Sequence, residues 1–193
     1  WTLPSDDGTK TIYYQIKDNA GLISETYSDT IILDTAPPTG SITINDGATY
    51  TTATTVTLTL SATDATSGIV EMRFSNDNIT YTEWQAYTTS APWTLQNGDD
   101  GTKTVYVQFK DHAGLISTYS DAIIMDIIPP TGSIIIAEGA TYTNSTSVTL
   151  ALSADDTTSG VSQMRFSHNN ITWTLWEDYT VSKAWDLPTG DGN

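Results

Sequence analysis

The chain has 193 residues, of which 23 are acidic and 7 basic, giving a formal net charge of −16. This balance argues against nucleic acid and anionic membranes as partners, since both attract positive surfaces. The absence of cysteine excludes disulfides and thiolate metal sites. No apolar run approaches the roughly 20 residues of a membrane-spanning helix, so we expect no membrane insertion within this segment.

Apolar and polar residues alternate along the chain, first over residues 12–16 and then over 56–62, 105–109 and 148–154. This period of two predicts half-buried β-strands. No stretch shows the 3.6-residue period of a helix, so we expect essentially none. Turn signals recur about every 8–12 residues, which is typical of a β-sandwich.

One full set of strands is predicted in the middle of the chain. Named A, B, C, C′, E, F and G, these strands are expected at 41–45, 55–63, 69–75, 81–87, 91–96, 102–110 and 117–126. Such a set is enough for a sandwich with its own core.

The chain repeats itself over the length of one such module. The motif Pro-Pro-Thr-Gly-Ser-Ile begins at Pro37 and again at Pro129, and Met-Arg-Phe-Ser begins at Met72 and again at Met164. The tryptophan of the predicted E strand, in Trp-Thr-Leu or Trp-Asp-Leu, occurs three times, at Trp1, Trp93 and Trp185. The chain is therefore interpreted as a slice of a tandem array.

The proline pairs mark the predicted module boundaries, because proline has no amide donor and stiffens the chain. We predict strands E to G of an incomplete domain in residues 1–35 and a complete domain in 36–127. Residues 128–193 are predicted to hold strands A to E of a third, incomplete domain. Open edges of the incomplete modules would be completed by further sequence of a longer chain or by strands from neighbouring subunits.

The chain resembles the Ig-like, fibronectin type III-like repeats of large bacterial and archaeal surface proteins. Beyond the proline motif, the residues that carry the resemblance are Leu60-Ser-Ala-Thr-Asp-Ala-Thr-Ser-Gly, Met72-Arg-Phe-Ser-Asn-Asp, Gly101-Thr-Lys-Thr-Val-Tyr-Val-Gln-Phe-Lys-Asp-His-Ala-Gly and Ile123-Ile-Met-Asp. The resemblance implies tandem Ig-like β-sandwiches at the cell surface or outside the cell. It also implies Asn after the Ala-Gly of the F–G turn. Leu22 and Leu115 stand there instead, so this turn must be braced in another way.

Three functions are open from the sequence. The first is a structural stalk, sheath or filament, in which each module contacts neighbouring Ig-like repeats of the same or adjacent subunits. The second is an adhesin or carbohydrate-binding repeat that binds a glycan or another surface ligand. The third is the spacer of a secreted enzyme. No Ser/His/Asp set or phosphate-binding loop can be assembled, so we expect no enzymatic activity in this segment.

Five aspartates fall in loops that a sandwich of this type brings to a common pole. Asp34 precedes strand A, Asp64 lies in the B–C loop and Asp111 in the F–G loop. Asp126 and Asp155 are assigned to the next junction. Ca²⁺ takes six to eight oxygen ligands, so calcium is the cofactor that this pattern suggests. The competing interpretation is that each aspartate caps its own turn.

Trp173 stands where the preceding copy has Tyr81, and it is the predicted contact residue for a ligand. Tryptophans that recur in every copy are predicted to serve the core or its edge instead. Asn78, Asn144 and Asn170 each begin an Asn-x-Ser/Thr pattern, which makes them candidate glycosylation sites.

Overall fold

The computed structural model describes residue 2, residues 4–96 and residues 98–188. The chain divides into two compact units, Trp1–Met125 and Asp126–Asn193. The all-β prediction is confirmed: besides strands, the described residues contain two 3₁₀ turns, Asn45–Gly47 and Ala137–Gly139. No described helix has the length and hydropathy needed to cross a membrane.

The first unit opens with a hairpin of β1 (Gly8–Tyr14) and β2 (Tyr27–Leu33). The two strands are antiparallel, with Gly8 opposite Leu33 and Tyr14 opposite Tyr27. The predicted E strand of this segment lies partly outside the described residues, since neither Trp1 nor Leu3 is among them. The hairpin shares the first unit with the strands that follow, so the division into three modules stays a prediction.

The middle module is a two-layer sandwich. Its strands are β3 (Thr39–Ile44), β4 (Tyr50–Thr51), β5 (Thr55–Thr63), β6 (Ile69–Ser75), β7 (Gln85–Ala86), β8 (Ser90–Thr94), β9 (Gly101–Asp111) and β10 (Ile116–Met125). One sheet has the order β3-β5-β8 and the other β4-β10-β9-β6-β7. The first sheet contains the predicted strands A, B and E, and the second contains C′, C, F and G, with β4 added at one edge.

The predicted C′ strand is much shorter than expected. Of residues 81–87, only Gln85 and Ala86 pair with β6. Before them the chain is held by Thr82, whose amide donates to the Phe74 carbonyl at 2.9 Å and whose Oγ1 accepts from the Phe74 amide at 3.1 Å. This local side-chain contact replaces further ladder hydrogen bonds.

The core lies between the two sheets and follows the alternating sequence pattern. In β5, Val56, Leu58 and Leu60 are buried while the intervening threonines are exposed. From the opposite sheet, Val107 and Phe109 are fully buried. Burial of large apolar side chains stabilises by about 1.5–3 kcal/mol each, so this layer holds the module together.

Gly40 allows β3 to approach the core closely. A Cβ built on this residue would lie 2.5 Å from the Ser61 carbonyl oxygen and 2.8 Å from the Phe109 ring. Real Cβ atoms do not come this close to backbone atoms, so the packing at this point depends on the absence of a side chain.

The second unit repeats the first half of the middle module. Its strands are β11 (Thr131–Ile136), β12 (Ser147–Asp155), β13 (Gln163–Met164), β14 (Glu177–Asp178) and β15 (Ser182–Asp186). They form a β11-β12-β15 sheet and a β13-β14 pair. Val148 and Leu150 are buried, whereas Ile134 and Ile136 of β11 stay about half exposed.

Candidate metal centre

Three aspartates converge at one pole of the middle module. Asp34 follows β2, Asp64 follows β5 and Asp111 ends β9. The pairing of Thr39 with Thr63, and of Ile69 with Asp111, brings the start of β3 and the ends of β5 and β9 to this pole. One carboxylate oxygen from each aspartate lies within 4.8 Å of the other two. The structure therefore brings together the three residues that the sequence assigned to one site.

Asp64 braces the turn that follows β5. Its Oδ1 accepts hydrogen bonds from the amides of Thr66 at 3.0 Å, Ser67 at 2.8 Å and Gly68 at 3.0 Å. Desolvation alone would raise the pKa of this carboxyl group. The three amide hydrogen bonds outweigh it and hold the pKa of Asp64 below its ordinary value. Asp64 is therefore a carboxylate at neutral pH.

Asp111 and Asp34 each keep one oxygen without a partner. Asp111 is 1% exposed, and its Oδ1 accepts from the Leu115 amide at 2.9 Å. The Oδ1 of Asp34 accepts from the Ala36 amide at 3.2 Å. The Oδ2 atoms of both residues are buried and have no hydrogen-bond partner among the described residues. Buried, unpaired carboxylate oxygens are costly, and a cation at this pole would give both of them a partner.

Turn capping and metal binding are thus compatible in this cluster. The Oδ1 atoms serve the turns, as the competing interpretation expects, and the two free Oδ2 atoms remain for a ligand. Asp111 also stabilises the F–G turn, in which Leu115 replaces the expected Asn, because its Oδ1 accepts from the Leu115 amide. In the hairpin, Asp18 acts in the same way, because its Oδ1 accepts from the amides of Ala20 and Leu22.

In the second unit, the residue equivalent to Asp64 is Asp156, so the assignment of Asp155 to this site was off by one position. Asp155 is the last residue of β12 and pairs with Thr131. Asp156 accepts the turn amides of the following loop, those of Thr158, Ser159 and Gly160. These hydrogen bonds lower the pKa of Asp156. Asp126, which begins the second unit, is half-buried.

The C–C′ turn is held by Asp77, which the sequence pattern did not single out. Its Oδ1 accepts from the Ser75 hydroxyl at 2.8 Å and from the amides of Ile79 and Thr80 at 2.8 and 2.7 Å. These hydrogen bonds, led by those from Ile79 and Thr80, lower the pKa of Asp77 to about 2. In the second unit, Asn169 accepts the equivalent amides.

Trp173 is 42% exposed and takes part in a cation–π stack. The guanidinium carbon of Arg165 lies 4.9 Å from its ring centroid. Arg73 lies 4.8 Å from the ring of Tyr81, the equivalent residue of the middle module. The stack is therefore a repeated feature of the fold, and a ligand-binding role for Trp173 stays a prediction.

The three candidate glycosylation sites are all exposed. Asn78 and Asn170 occupy equivalent turns with φ of 60° and 58°. The Oδ1 of Asn78 accepts a hydrogen bond from the Tyr81 hydroxyl at 2.6 Å. Asn144 lies between β11 and β12. Their modification stays a prediction.

The two packed sheets, antiparallel except for the pairing of β4 with β10, define an Ig-like β-sandwich module. Residues 38–107 match the family model described as a bacterial Ig domain. Over these residues the middle module is similar to a bacterial Ig domain, and the resemblance seen in the sequence is confirmed for this range.

Solved structures similar to the chain include two that are each 14% identical to it. One is the PKD1 domain of Vibrio anguillarum Epp, with a TM-score of 0.38 over 49% of this chain and 100% of that domain. The other is a tetra-tandem repeat in the extending region of a large adhesion protein, with a TM-score of 0.34 over 94% of this chain. The chain spans 48% of the length of that second structure. No curated protein matches the chain.

Proposed function

We propose that this chain is a non-catalytic structural repeat of an extracellular surface stalk, sheath or filament. The observation that supports the proposal is the recurrence of parts of the middle module, down to their individual turns, within a single polypeptide. Asp64 and Asp156 cap the same turn in two copies, and β3 and β11 have the same place in their sheets. Repetition of module sequence along one chain favours a role in spacing, and many cell-surface domains share this sandwich architecture.

Surface display is tested by labelling intact cells of the source organism with antibodies against residues 36–127. We expect labelling without permeabilisation. Labelling that appears only after the cells are permeabilised would overturn the proposed location.

A binding function is the second candidate, and Trp173 is the observation in its favour. Its ring is partly exposed, whereas the equivalent Tyr81 is more covered. On a glycan array, an adhesin would lose signal on Trp173→Ala and keep it on Ile171→Ala, a change at a nearby exposed residue. An array without signal for the unmodified chain would leave the structural role as the better account.

We further propose that the pole formed by Asp34, Asp64 and Asp111 binds Ca²⁺. Three carboxylates within 4.8 Å supply hard oxygen ligands, and two of them carry buried oxygens without partners. Calcium tolerates irregular loop geometry and accepts backbone carbonyl and water ligands alongside carboxylates. Because Asp34 lies on the segment that enters β3, the ion would tie that segment to the B–C and F–G loops.

Calcium binding is tested by isothermal titration calorimetry on protein first treated with a chelator. We expect a dissociation constant on the order of 0.1 mM, at the strong end of the range for extracellular calcium modules. Mg²⁺ serves as the control ion, because it demands near-octahedral geometry and gives up its waters reluctantly. No binding heat up to millimolar Ca²⁺ would refute the site.

A further inference from the structure

The two arginines of the chain occupy the same position of the repeat. Arg73 and Arg165 each stand in a Met-Arg-Phe-Ser motif, and every other basic residue of the chain is a lysine. Each arginine stacks on two aromatic rings from the segment that follows its strand, which are Tyr81 and Trp84 in the middle module and Trp173 and Trp176 in the second unit. The repeat therefore keeps an arginine, rather than any cation, at this position.

In the middle module, Arg73 lies on the face of the five-stranded sheet that is turned away from the core. It alternates in β6 with the buried Met72 and Phe74. Its guanidinium carbon lies 4.8 Å from the ring centroid of Tyr81 and 4.4 Å from that of Trp84, and both rings are partly exposed. Stacking of this kind holds the guanidinium plane and so sets the directions of its N–H donors.

The donors at the end of Arg73 are unpaired. Its Nε donates to the Oε1 of Gln108 at 2.8 Å. The two terminal nitrogens have no acceptor among the described residues, and the ion pairs found there all use lysines. Lys110, on the same face, shows the contrast, because it pairs with Glu71. In a chain with 23 acidic residues, the outer end of Arg73 thus stays open to an acceptor from outside the module.

Neutral hydrogen-bonding side chains surround the arginine on this face. Gln108 of β9 lies opposite Arg73, and Thr118 of β10 lies opposite Gln108. The Nε2 of Gln108 donates to the Oγ1 of Thr118 at 3.1 Å. The next outward-facing pair along these strands is Tyr106 and Ser120. The face therefore combines aromatic surface, amide and hydroxyl groups, and one unpaired guanidinium group.

We propose that this face binds a sugar that carries a single carboxylate, such as a uronic or a sialic acid at the end of a glycan. A guanidinium group holds a carboxylate through two parallel hydrogen bonds, which a lysine cannot do. The C–H groups of the sugar ring pack on the rings of Tyr81 and Trp84, and its hydroxyls find partners in side chains such as Gln108 and Tyr106. The inference rests on the binding function named above as the second candidate, and it gives that function a ligand class and a site in the middle module.

A second copy of the chain is the competing source of a carboxylate. It would bring a formal charge of −16 to a molecule of the same charge, whereas a sugar of this kind brings a single charge. At physiological salt the repulsion between charges reaches about 8 Å, a range that two docking surfaces have to cross. The sugar is therefore the better partner for an unpaired guanidinium group, and self-association is an outcome that the test detects.

The test is a titration of the isotopically labelled full chain with methyl glucuronide, followed by NMR. The side-chain amide of Gln108 and the indole N–H of Trp84 report on the site. We expect both signals to shift and to saturate with a dissociation constant on the order of 1 mM. Methyl glucoside, which lacks the carboxylate, is the control ligand and should leave both signals in place. Sialyllactose is titrated in the same way, and the acid that binds more tightly identifies the sugar.

Arg73→Gln and Lys103→Gln form a matched pair of variants, because each removes one positive charge from the middle module. Lys103 lies five residues before Gln108 in β9 and donates to the Asp99 carbonyl at 2.9 Å. Arg73→Gln should weaken glucuronide binding at least about tenfold, whereas Lys103→Gln should leave it nearly unchanged. Arg73→Lys keeps the charge and loses the planar fork, so it should weaken binding as well. Unshifted amide signals from the core strands show that each variant is folded.

Four results would count against the proposal. Equal shifts with glucuronide and glucoside would refute the role of the carboxylate and leave sugar binding itself in place. No shift with either acid would refute the site, and so would an equal loss of binding in Arg73→Gln and Lys103→Gln. Signals of Gln108 and Trp84 that move with protein concentration alone would assign the carboxylate to a second copy instead of a sugar.

Discussion

Replacing Asp111 by Asn should change the stability of the middle module in opposite directions with and without calcium. The three carboxylates lie within 4.8 Å of one another. At that separation, two like charges repel by about 3.5 kcal/mol at an effective dielectric constant of about 20, before screening by salt. Asp111→Asn removes two of the three repulsive pairs and can keep the acceptor of the Leu115 amide.

In chelator at neutral pH, we therefore expect Asp111→Asn to be more stable than the unmodified chain by about 1–3 kcal/mol. With 1 mM Ca²⁺ and a dissociation constant of about 0.1 mM, the unmodified module should gain about 1.4 kcal/mol. The variant should gain much less, because it has lost one charged ligand. For a module of this size, about 1 kcal/mol corresponds to a melting-temperature shift of about 4–8 °C.

Differential scanning calorimetry of the full chain, in chelator and in calcium, measures both effects. Asp99→Asn is the matched control, since it removes the same charge from an exposed loop residue outside the cluster. It should leave the calcium-dependent shift intact. An equal calcium shift in Asp111→Asn and in the unmodified chain would refute the site. A variant that is less stable in chelator would refute the charge repulsion.

Two further substitutions test the packing and the turn chemistry. Gly40→Ala places a methyl group against the Ser61 carbonyl and the Phe109 ring. It should lower the free energy of unfolding by about 1–3 kcal/mol, seen as a lower urea midpoint at unchanged slope. An unchanged midpoint would show that β3 can shift to accommodate the methyl group at no cost in stability. Asp77 has a pKa of about 2 in the fold, below its unfolded value of about 3.9. Its contribution to stability is therefore present above pH 4 and lost as the pH falls towards 2. Asp77→Asn should lower the melting temperature at pH 7 and have little effect near pH 2, while an equal loss at both would show that charge plays no part.

The strands were predictable because each of them separates an apolar face from a polar one. The pattern in β5 gave both of its ends, Thr55 and Thr63, as the structure has them. The convergence of Asp34, Asp64 and Asp111 was also predictable, since it follows from strand order rather than from side-chain detail. Calcium binding itself stays a prediction.

Finer features depend on contacts that a one-dimensional pattern does not contain. Asp155 is a different case, because the spacing that relates Pro37 to Pro129 already places Asp156 at the position of Asp64, and the choice of Asp155 was a misalignment. The short C′ strand depends on a side-chain contact of Thr82. Which carboxylate oxygens serve turns, and which are left without partners, emerges only from the atomic geometry.

The five-stranded sheet of the middle module ends on both sides in strands of two residues, β4 and β7. A long row of near-identical modules risks misfolding by exchange of strands between neighbours as the polypeptide emerges from the ribosome. Edge strands of two residues expose few unpaired amide and carbonyl groups with which a strand of another module could pair. Truncated outer strands thus give a repetitive protein a way to keep each module to itself while the chain is being made.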